Sequence, residues 1–392
     1  MAHAYEEKLV KYCCRINFSQ DTDRAVERIL NLDLDWDFIV SYAEEEDVTA
    51  LLYFHLFRNK QRIPQESLSK LKDNFKKSKE ANLTLYEELK NILGCFKQYN
   101  IRAVLLKGID LAERIYPEIG LRPMSDIDIL IRKQDLPDIE QALIPLNYLM
   151  HPKYRRILNL PQSPYLNTVV CKKLTAPFVS LHLHWHILNN SFYPGYGYIS
   201  NLDISKIWQD VQESFISGIQ ILRMAPHHLL LHLAQHHFKH YYNCLIQLCD
   251  IDGLLNHYQD TLDWQKVLQQ AYEFNFNRPL YYSLYFTKEI LGTNIPAGIL
   301  TELKPSYINR FERRFINSVL KGKATKNLSF FMFLSMNRGL GKKFIFLFRT
   351  ILPHPKFRFQ LQDIYGIDSG LKYNLNHISR IVKYLFRFLL RK

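Results

Sequence analysis

The spacing of apolar and polar positions changes along the 392-residue chain, and each change predicts a different kind of structure. Over residues 1–95 apolar positions recur at helical spacing. Leu30, Leu32, Leu34, Trp36, Phe38 and Ile39 lead in, the acids Glu44 to Asp47 follow, and VTALLYFHLF comes next. After a turn at Pro64, a long helix is expected from Leu68 to Tyr99, with its run SKLKDNFKKSKE as a solvated face.

From residue 101 the period shortens. IRAVLLKG is a short β-branched run that stops at Gly108, and IDLAERIY then returns to helical spacing. A Gly/Pro loop, EIGLRPMS, leads into a second strand, DIDILIRK, and LPDIEQALIPL predicts another helix. TVVCKKLTAPFVSLHLHWHIL has the texture of a two-stranded hairpin, and IQILRM at 219–224 of one more strand. Strand, helix, strand, helix and then antiparallel strands predict an α+β core with a mixed sheet and flanking helices. Pro226 to about Gly292 is helical again. The expected organisation is a helical region at 1–95, the α+β core at 96–225, a second helical region at 226–300 and a basic, aromatic region at 301–392.

Charge sharpens that last boundary. Residues 303–392 hold 19 Lys and Arg against 3 acids, while the other 302 residues hold 32 against 35, so the excess of +13 comes from the C-terminal part. Such a segment suits an anionic partner, either a nucleic acid or a membrane surface. Alternating Lys/Arg and Phe (Phe344, Phe346, Phe348, Phe357, Phe359) could stack on and neutralise RNA. HISRIVKYLFRFLLRK could instead lie on an anionic leaflet or pack on the protein body. Six scattered cysteines without a C-x-x-C pair favour reduced thiols. The N-terminus shows no signal-peptide core, and the apolar stretch 330–352 is broken by charges and glycines, so no transmembrane segment is expected. A cytoplasmic protein, peripheral at the membrane at most, is the expectation.

The chemistry concentrates in residues 105–130. Asp126 and Asp128 stand one residue apart in a predicted strand, so both carboxylates share a face about 7 Å apart while Ile127 and Ile129 face the core. Paired acids of this kind suit Mg²⁺, which prefers oxygen ligands and bridges substrate phosphates. Lys107 and Gly108 close one strand and open a helix, where free N–H groups and the helix dipole favour a phosphate. Arg122 adds charge on the same side.

This segment resembles the signature of the nucleotidyltransferase superfamily related to DNA polymerase β. It is more closely similar to the bacterial family of uncharacterised nucleotidyltransferases, through Leu106, Lys107, Gly108, Leu111, Ala112, Tyr116, Gly120, Arg122, Pro123, Ser125, Asp126, Ile127, Asp128 and Leu130. The resemblance implies Mg²⁺-dependent transfer of NMP from an NTP to an acceptor hydroxyl on RNA, protein or a small molecule, with Mn²⁺ an alternative ion. It implies Asp126 and Asp128 as metal ligands, Lys107 and Gly108 on the triphosphate, and Arg122 and Ser125 shaping the loop around it. RNA is an acceptor by analogy with toxin-type relatives only.

The family's acid-x-His-Trp motif corresponds to His182-Leu183-His184-Trp185, so a histidine stands where the third acid is expected. An imidazole can act as a general base but cannot supply the charge that holds a second Mg²⁺. The competing expectation is therefore a weakened member that binds nucleotide or a partner without turnover. Strand alternation puts Ser180, His182, His184 and His186 on one face, expected toward the site. His228, His232, His236 and His240 recur every four residues in a predicted helix, and His227 and His237 lie beside them. Without an acid at motif spacing these predict helix packing near the cleft rather than a Zn²⁺ site. Asp250 and Asp252 are expected to be structural.

Overall fold

The structure, a computed structural model, describes residues 3–150, 167–188, 202–216, 218–322, 334 and 339–351. The chain opens with α1 (Ala4–Cys13), α2 (Gln20–Ile29), α3 (Trp36–Glu45), α4 (Thr49–Leu56) and α5 (Gln65–Gln98). Side-chain caps start two of them: Ser19 accepts from the Thr22 N–H and Asp35 from the Phe38 N–H, contacts typically worth about 1 kcal/mol each. α5 begins after Pro64 and ends where Asn100 turns left-handed at φ 54°. At 34 residues it spans about 50 Å.

Among the described residues seven strands follow: β1 (Val104–Leu106), β2 (Asp126–Leu130), β3 (Tyr148–Met150), β4 (Thr168–Lys173), β5 (Ser180–His184), β6 (Gln212–Ile216) and β7 (Ile219–Arg223). They form one sheet in the order β3-β4-β5-β2-β1-β7-β6. β2 runs parallel to β5 and β1 parallel to β7, while the other neighbours are antiparallel. The mixed sheet and the β4–β5 hairpin match the expected α+β class. The edge strands β3 and β6 carry no sequence signal, because one has three residues and the other is mostly exposed.

α6 (Lys107–Arg114) joins β1 toward β2, and α7 (Leu136–Leu143) follows β2. The apolar face of the sheet lies under α5 and α7: Ile127, Ile129, Leu181 and Leu183 are buried with Leu89, Ile92, Phe96 and Ile139. α5 also contributes Leu71 to a second, larger core, so one helix ties the two together. That core gathers α1 to α4 with α9 (Pro226–Lys239), α10 (Ile246–His257), α11 (Trp264–Glu273), α12 (Asn277–Phe286) and α14 (Arg310–Leu320). Two shorter helices, α8 (Ile204–Gln209) and α13 (Ile299–Leu303), complete the set up to α15 (Leu340–Ile351).

In α15 the aromatic positions divide. Phe346 is buried in the larger core, whereas Phe344 and Phe348 are exposed and stack at 6.3 Å. Phe357, Phe359 and the expected terminal amphipathic helix lie outside the described residues. Among the described residues no helix is long and apolar enough to cross a membrane.

Candidate active site

β2 and β5 run side by side with Asp126 opposite Ser180, Asp128 opposite His182 and Leu130 opposite His184. Because side chains alternate along a strand, this register gathers Asp126, Asp128, His182 and His184 on the face opposite the apolar core. All four line one cleft of about 760 Å³. β1 completes the group, since Leu106 pairs with Asp128 and the next residue is Lys107. Lys107 adopts φ +54°, a left-handed conformation that costs a non-glycine residue roughly 1 kcal/mol or more. It brings the Lys107 Nζ to 2.7 Å from Asp128 Oδ1.

That single carboxylate oxygen also accepts from His184 Nε2 at 2.7 Å. His182 Nδ1 lies 3.1 Å from Asp126 Oδ2 and 3.7 Å from Asp128 Oδ1. Burial alone would raise the Asp128 carboxyl, but the Lys107 charge and the two histidines outweigh it and hold the group well below the usual carboxylate range. Asp126 moves the other way, pushed up by burial and by the charge of Asp128. Burial opposes protonation of His182, yet the two carboxylates prevail and raise it. His184, buried and close to Lys107, drops to about 4. The site thus holds one firmly ionised acid, one softened acid, and two imidazoles whose proton affinities are shifted in opposite directions.

The loop before β2 is fixed from outside the site. Asn82 of α5 donates through Nδ2 to the Arg122 carbonyl at 2.9 Å and also to the Ile119 carbonyl. Arg122 donates from Nε and Nη2 to the two carboxylate oxygens of Asp250 at 3.2 and 2.9 Å. Tyr116 donates to the same Asp250 at 2.8 Å. Asp250 is fully buried on α10, so the expected structural role fits its surroundings. Arg122 still lines the cleft, but its guanidinium is committed to Asp250. Gly108 has a local reason beyond phosphate approach: a Cβ there would stand 2.6 Å from Arg122 Nη1 and 3.0 Å from Met124 Cγ. Ser125 is exposed at the cleft.

The opposite wall comes from α9 and the residues after it. Gln235, His236, His237, Lys239, His240 and Asn243 line the cleft, whereas His228 and His232 are buried with neither ring nitrogen hydrogen-bonded. Burial drives His232 down to about 3 and His240 to about 4, and it lowers Lys239 to about 8 with help from Lys107. The histidine spacing placed this helix near the site, but nothing singled out Lys239, Asn243 or Gln235.

A strand bearing two acids, its parallel neighbour bearing two histidines and a lysine at a helix start thus converge on one polar cleft. The sequence profile of the uncharacterised nucleotidyltransferases matches residues 33–292, a span that contains every residue lining the cleft. The chain belongs to that family. It therefore falls in a transferase class whose members generally use a divalent metal and an NTP. No curated protein matches the chain.

Among the described residues two groups of side chains bring donor atoms within 4.8 Å of one another: Asp128 with His182 and His184, and Asp210 with His227 and His228. The first faces the cleft and offers carboxylate oxygen and imidazole nitrogen, a donor set that fits a divalent ion. In the second, the acid expected to be missing near the histidine helix comes from the end of α8. There Asp210 Oδ2 already has Lys266 Nζ at 2.8 Å and His227 Nε2 at 3.1 Å, an arrangement that closes as an ion-pair cluster.

Proposed function

We propose that the protein transfers a nucleoside monophosphate from an NTP to an acceptor hydroxyl in this cleft. The observation that carries the reading is the convergence of Asp126 and Asp128 from one strand face with Lys107 at the start of α6. A divalent ion held by Asp126 and Asp128 would offset the charge that develops on the substrate phosphate. Lys107 at the start of α6 and Lys239 across the cleft supply the cations for the triphosphate. Gly108 and the first turn of α6 leave backbone N–H groups free for it. Arg122 positions the Pro123–Ser125 loop through Asp250 rather than by touching phosphate. In the reaction the acceptor hydroxyl gives up its proton to solvent as its oxygen attacks the α-phosphorus, the bond to the pyrophosphate oxygen breaks, and pyrophosphate leaves. A general base could be His182, but its Nδ1 is turned toward both carboxylates, which favours a ligand role over proton abstraction.

A second reading has its own support. Asp128 Oδ1 already accepts from Lys107 and His184, and His182 stands beside Asp126, so the site is internally neutralised and suits nucleotide binding without turnover.

One experiment separates the two. The protein is incubated with each α-labelled NTP, Mg²⁺ or Mn²⁺, and RNA, protein or small-molecule acceptors, alongside Asp126→Asn. Transfer should fall about a thousandfold in the variant, the equivalent of several kcal/mol of metal-assisted stabilisation. Its urea midpoint should scarcely move, because loss of the part-exposed contact with His182 is offset by relief of the repulsion between Asp126 and Asp128. Nucleotide binding without label on any acceptor would favour the second reading.

A further inference from the structure

The donor chemistry of the cleft says more about the ion than about the reaction. Asp128, His182 and His184 come from two hydrogen-bonded strands, so their Cα positions are fixed by the β2–β5 register rather than by a loop. Their donor atoms lie 2.7 Å (His184 Nε2 to Asp128 Oδ1) and 3.7 Å (His182 Nδ1 to Asp128 Oδ1) apart, and all three fall within 4.8 Å. Ligands around one ion at about 2.1 Å stand roughly 3 to 3.5 Å from their neighbours, so small side-chain rotations would close the set on a single ion. Two imidazoles and one carboxylate on one face leave the remaining positions open toward the cleft.

This is not a site for a hard ion. Mg²⁺ demands oxygen ligands in near-ideal octahedral geometry and keeps several waters. Imidazole nitrogen suits Fe²⁺, Ni²⁺, Cu²⁺ and Zn²⁺, and affinity for a nitrogen–oxygen site rises along the first row from Mn²⁺ to Cu²⁺ before falling at Zn²⁺. The only other acid among the described residues lining the cleft, Asp47, lies near Arg122 and Cys244, so beyond Asp126 no further carboxylate is at hand for an ion that demands oxygen ligands. The lysine ammonium 2.7 Å from Asp128 Oδ1 marks a spot where positive charge is already stabilised.

We propose that Asp128, His182 and His184 form a mixed nitrogen–oxygen centre that takes a transition divalent ion of the Mn²⁺ to Zn²⁺ series in preference to Mg²⁺. Asp126, 3.1 Å from His182 Nδ1, orients that imidazole or adds an oxygen. The inference deepens the transfer reading in that the same cleft receives the phosphates, but the metal centre can be tested without nucleotide.

The test titrates MnCl₂ into the metal-free full-length protein and records pulsed electron paramagnetic resonance for nitrogen coupling from coordinated imidazole. The expected result is bound Mn²⁺ with nitrogen coupling that survives about a hundredfold excess of MgCl₂, and His182→Ala should weaken Mn²⁺ about tenfold or more. His184 is deeply buried and its removal could unfold the site. The second variant is therefore His182→Glu, which should keep the fold and let Mg²⁺ displace Mn²⁺ about tenfold more readily. Absence of Mn²⁺ binding, Mn²⁺ without nitrogen coupling, or displacement by equimolar Mg²⁺ would overturn the proposal. Equal transfer with Mg²⁺ and Mn²⁺ without nitrogen coupling would overturn the centre and spare the transfer reading. Nitrogen-coupled Mn²⁺ without NTP use would support the centre and remove the transfer reading.

Discussion

Asp128 and Asp250 are both buried acids, and each is paired with a cation from the same 26-residue motif, yet they do opposite things. Asp250 has Arg122 on both oxygens and Tyr116 on one of them, and it has no exposed surface. Asp128 concentrates Lys107 and His184 on one oxygen and opens toward the cleft. The first pair is closed and joins the helical half of the protein to the loop before β2. The second is poised, because a metal ion can take the place of Lys107 at the carboxylate and a phosphate can take up the ammonium. A lysine suits the second place, being a flexible point charge, and an arginine the first, being a planar fork that matches a carboxylate on two bonds.

Breaking the closed pair should have the largest effect on stability. Asp250→Ala leaves the Arg122 guanidinium and the Tyr116 hydroxyl buried without their partner, a loss of about 3–5 kcal/mol. The urea midpoint should fall accordingly, in contrast to Asp126→Asn, which should lose transfer and keep its midpoint. Equal stability losses in the two variants would mean that the site is no more open than the weld.

Acid should act next, and on both regions. Burial, reinforced by Lys107, leaves His184 at about 4 and His232 at about 3, and burial with the charge of Arg122 lowers His237 beside Asp250. On unfolding these groups return to about 6.5. Between that value and their folded values the unfolded chain binds protons that the folded chain refuses, so stability falls as pH falls. The slope is at most about 1.4 kcal/mol per pH unit for each histidine. The urea midpoint should therefore drop steadily from pH 7 to pH 5, and His232→Gln should flatten the slope. His182 runs in the opposite sense. Its folded pKa is raised, so its contribution is complete below about 6.5 and disappears as pH climbs through the folded value. A midpoint independent of pH across this range would contradict the buried, neutral state of the α9 histidines.

What the chain reveals before it folds follows the same division. Asp126 and Asp128 were legible because period-2 alternation fixes their face with no knowledge of a partner, and His182 and His184 because they alternate with buried Leu181 and Leu183. The partner of Arg122 was not legible: Asp250 lies 128 residues away, and no local pattern encodes a long-range ion pair. The histidine helix was placed near the site, but spacing alone could not divide His236 and His240 at the cleft from His228 and His232 in the core, since all four lie on related faces of one helix. Asp210 as a histidine partner lies outside any local spacing, β3 is only three residues long, and β6 is mostly exposed and lacks a hydrophobic pattern.

The smallest expected effect decides what Gly108 is for. If its glycine exists only to let phosphate approach, Gly108→Ala should weaken NTP binding and leave the free protein as stable as before. The packing predicts otherwise. The added Cβ meets Arg122 Nη1 at 2.6 Å, and the guanidinium cannot swing aside without loosening two hydrogen bonds to Asp250. Met124, 3.0 Å away, is flexible enough to yield. Overpacking of this kind costs about 1–3 kcal/mol, visible as a lower urea midpoint without any nucleotide. The double variant with Asp250→Ala isolates the cause, because freeing Arg122 should let it move off the new methyl group. The two losses should then sum to less than their separate values by at least about 0.5 kcal/mol, the coupling expected of residues that share a partner. Strict additivity would place the strain on Met124 instead, and would leave phosphate approach as the reason a glycine stands at the start of α6.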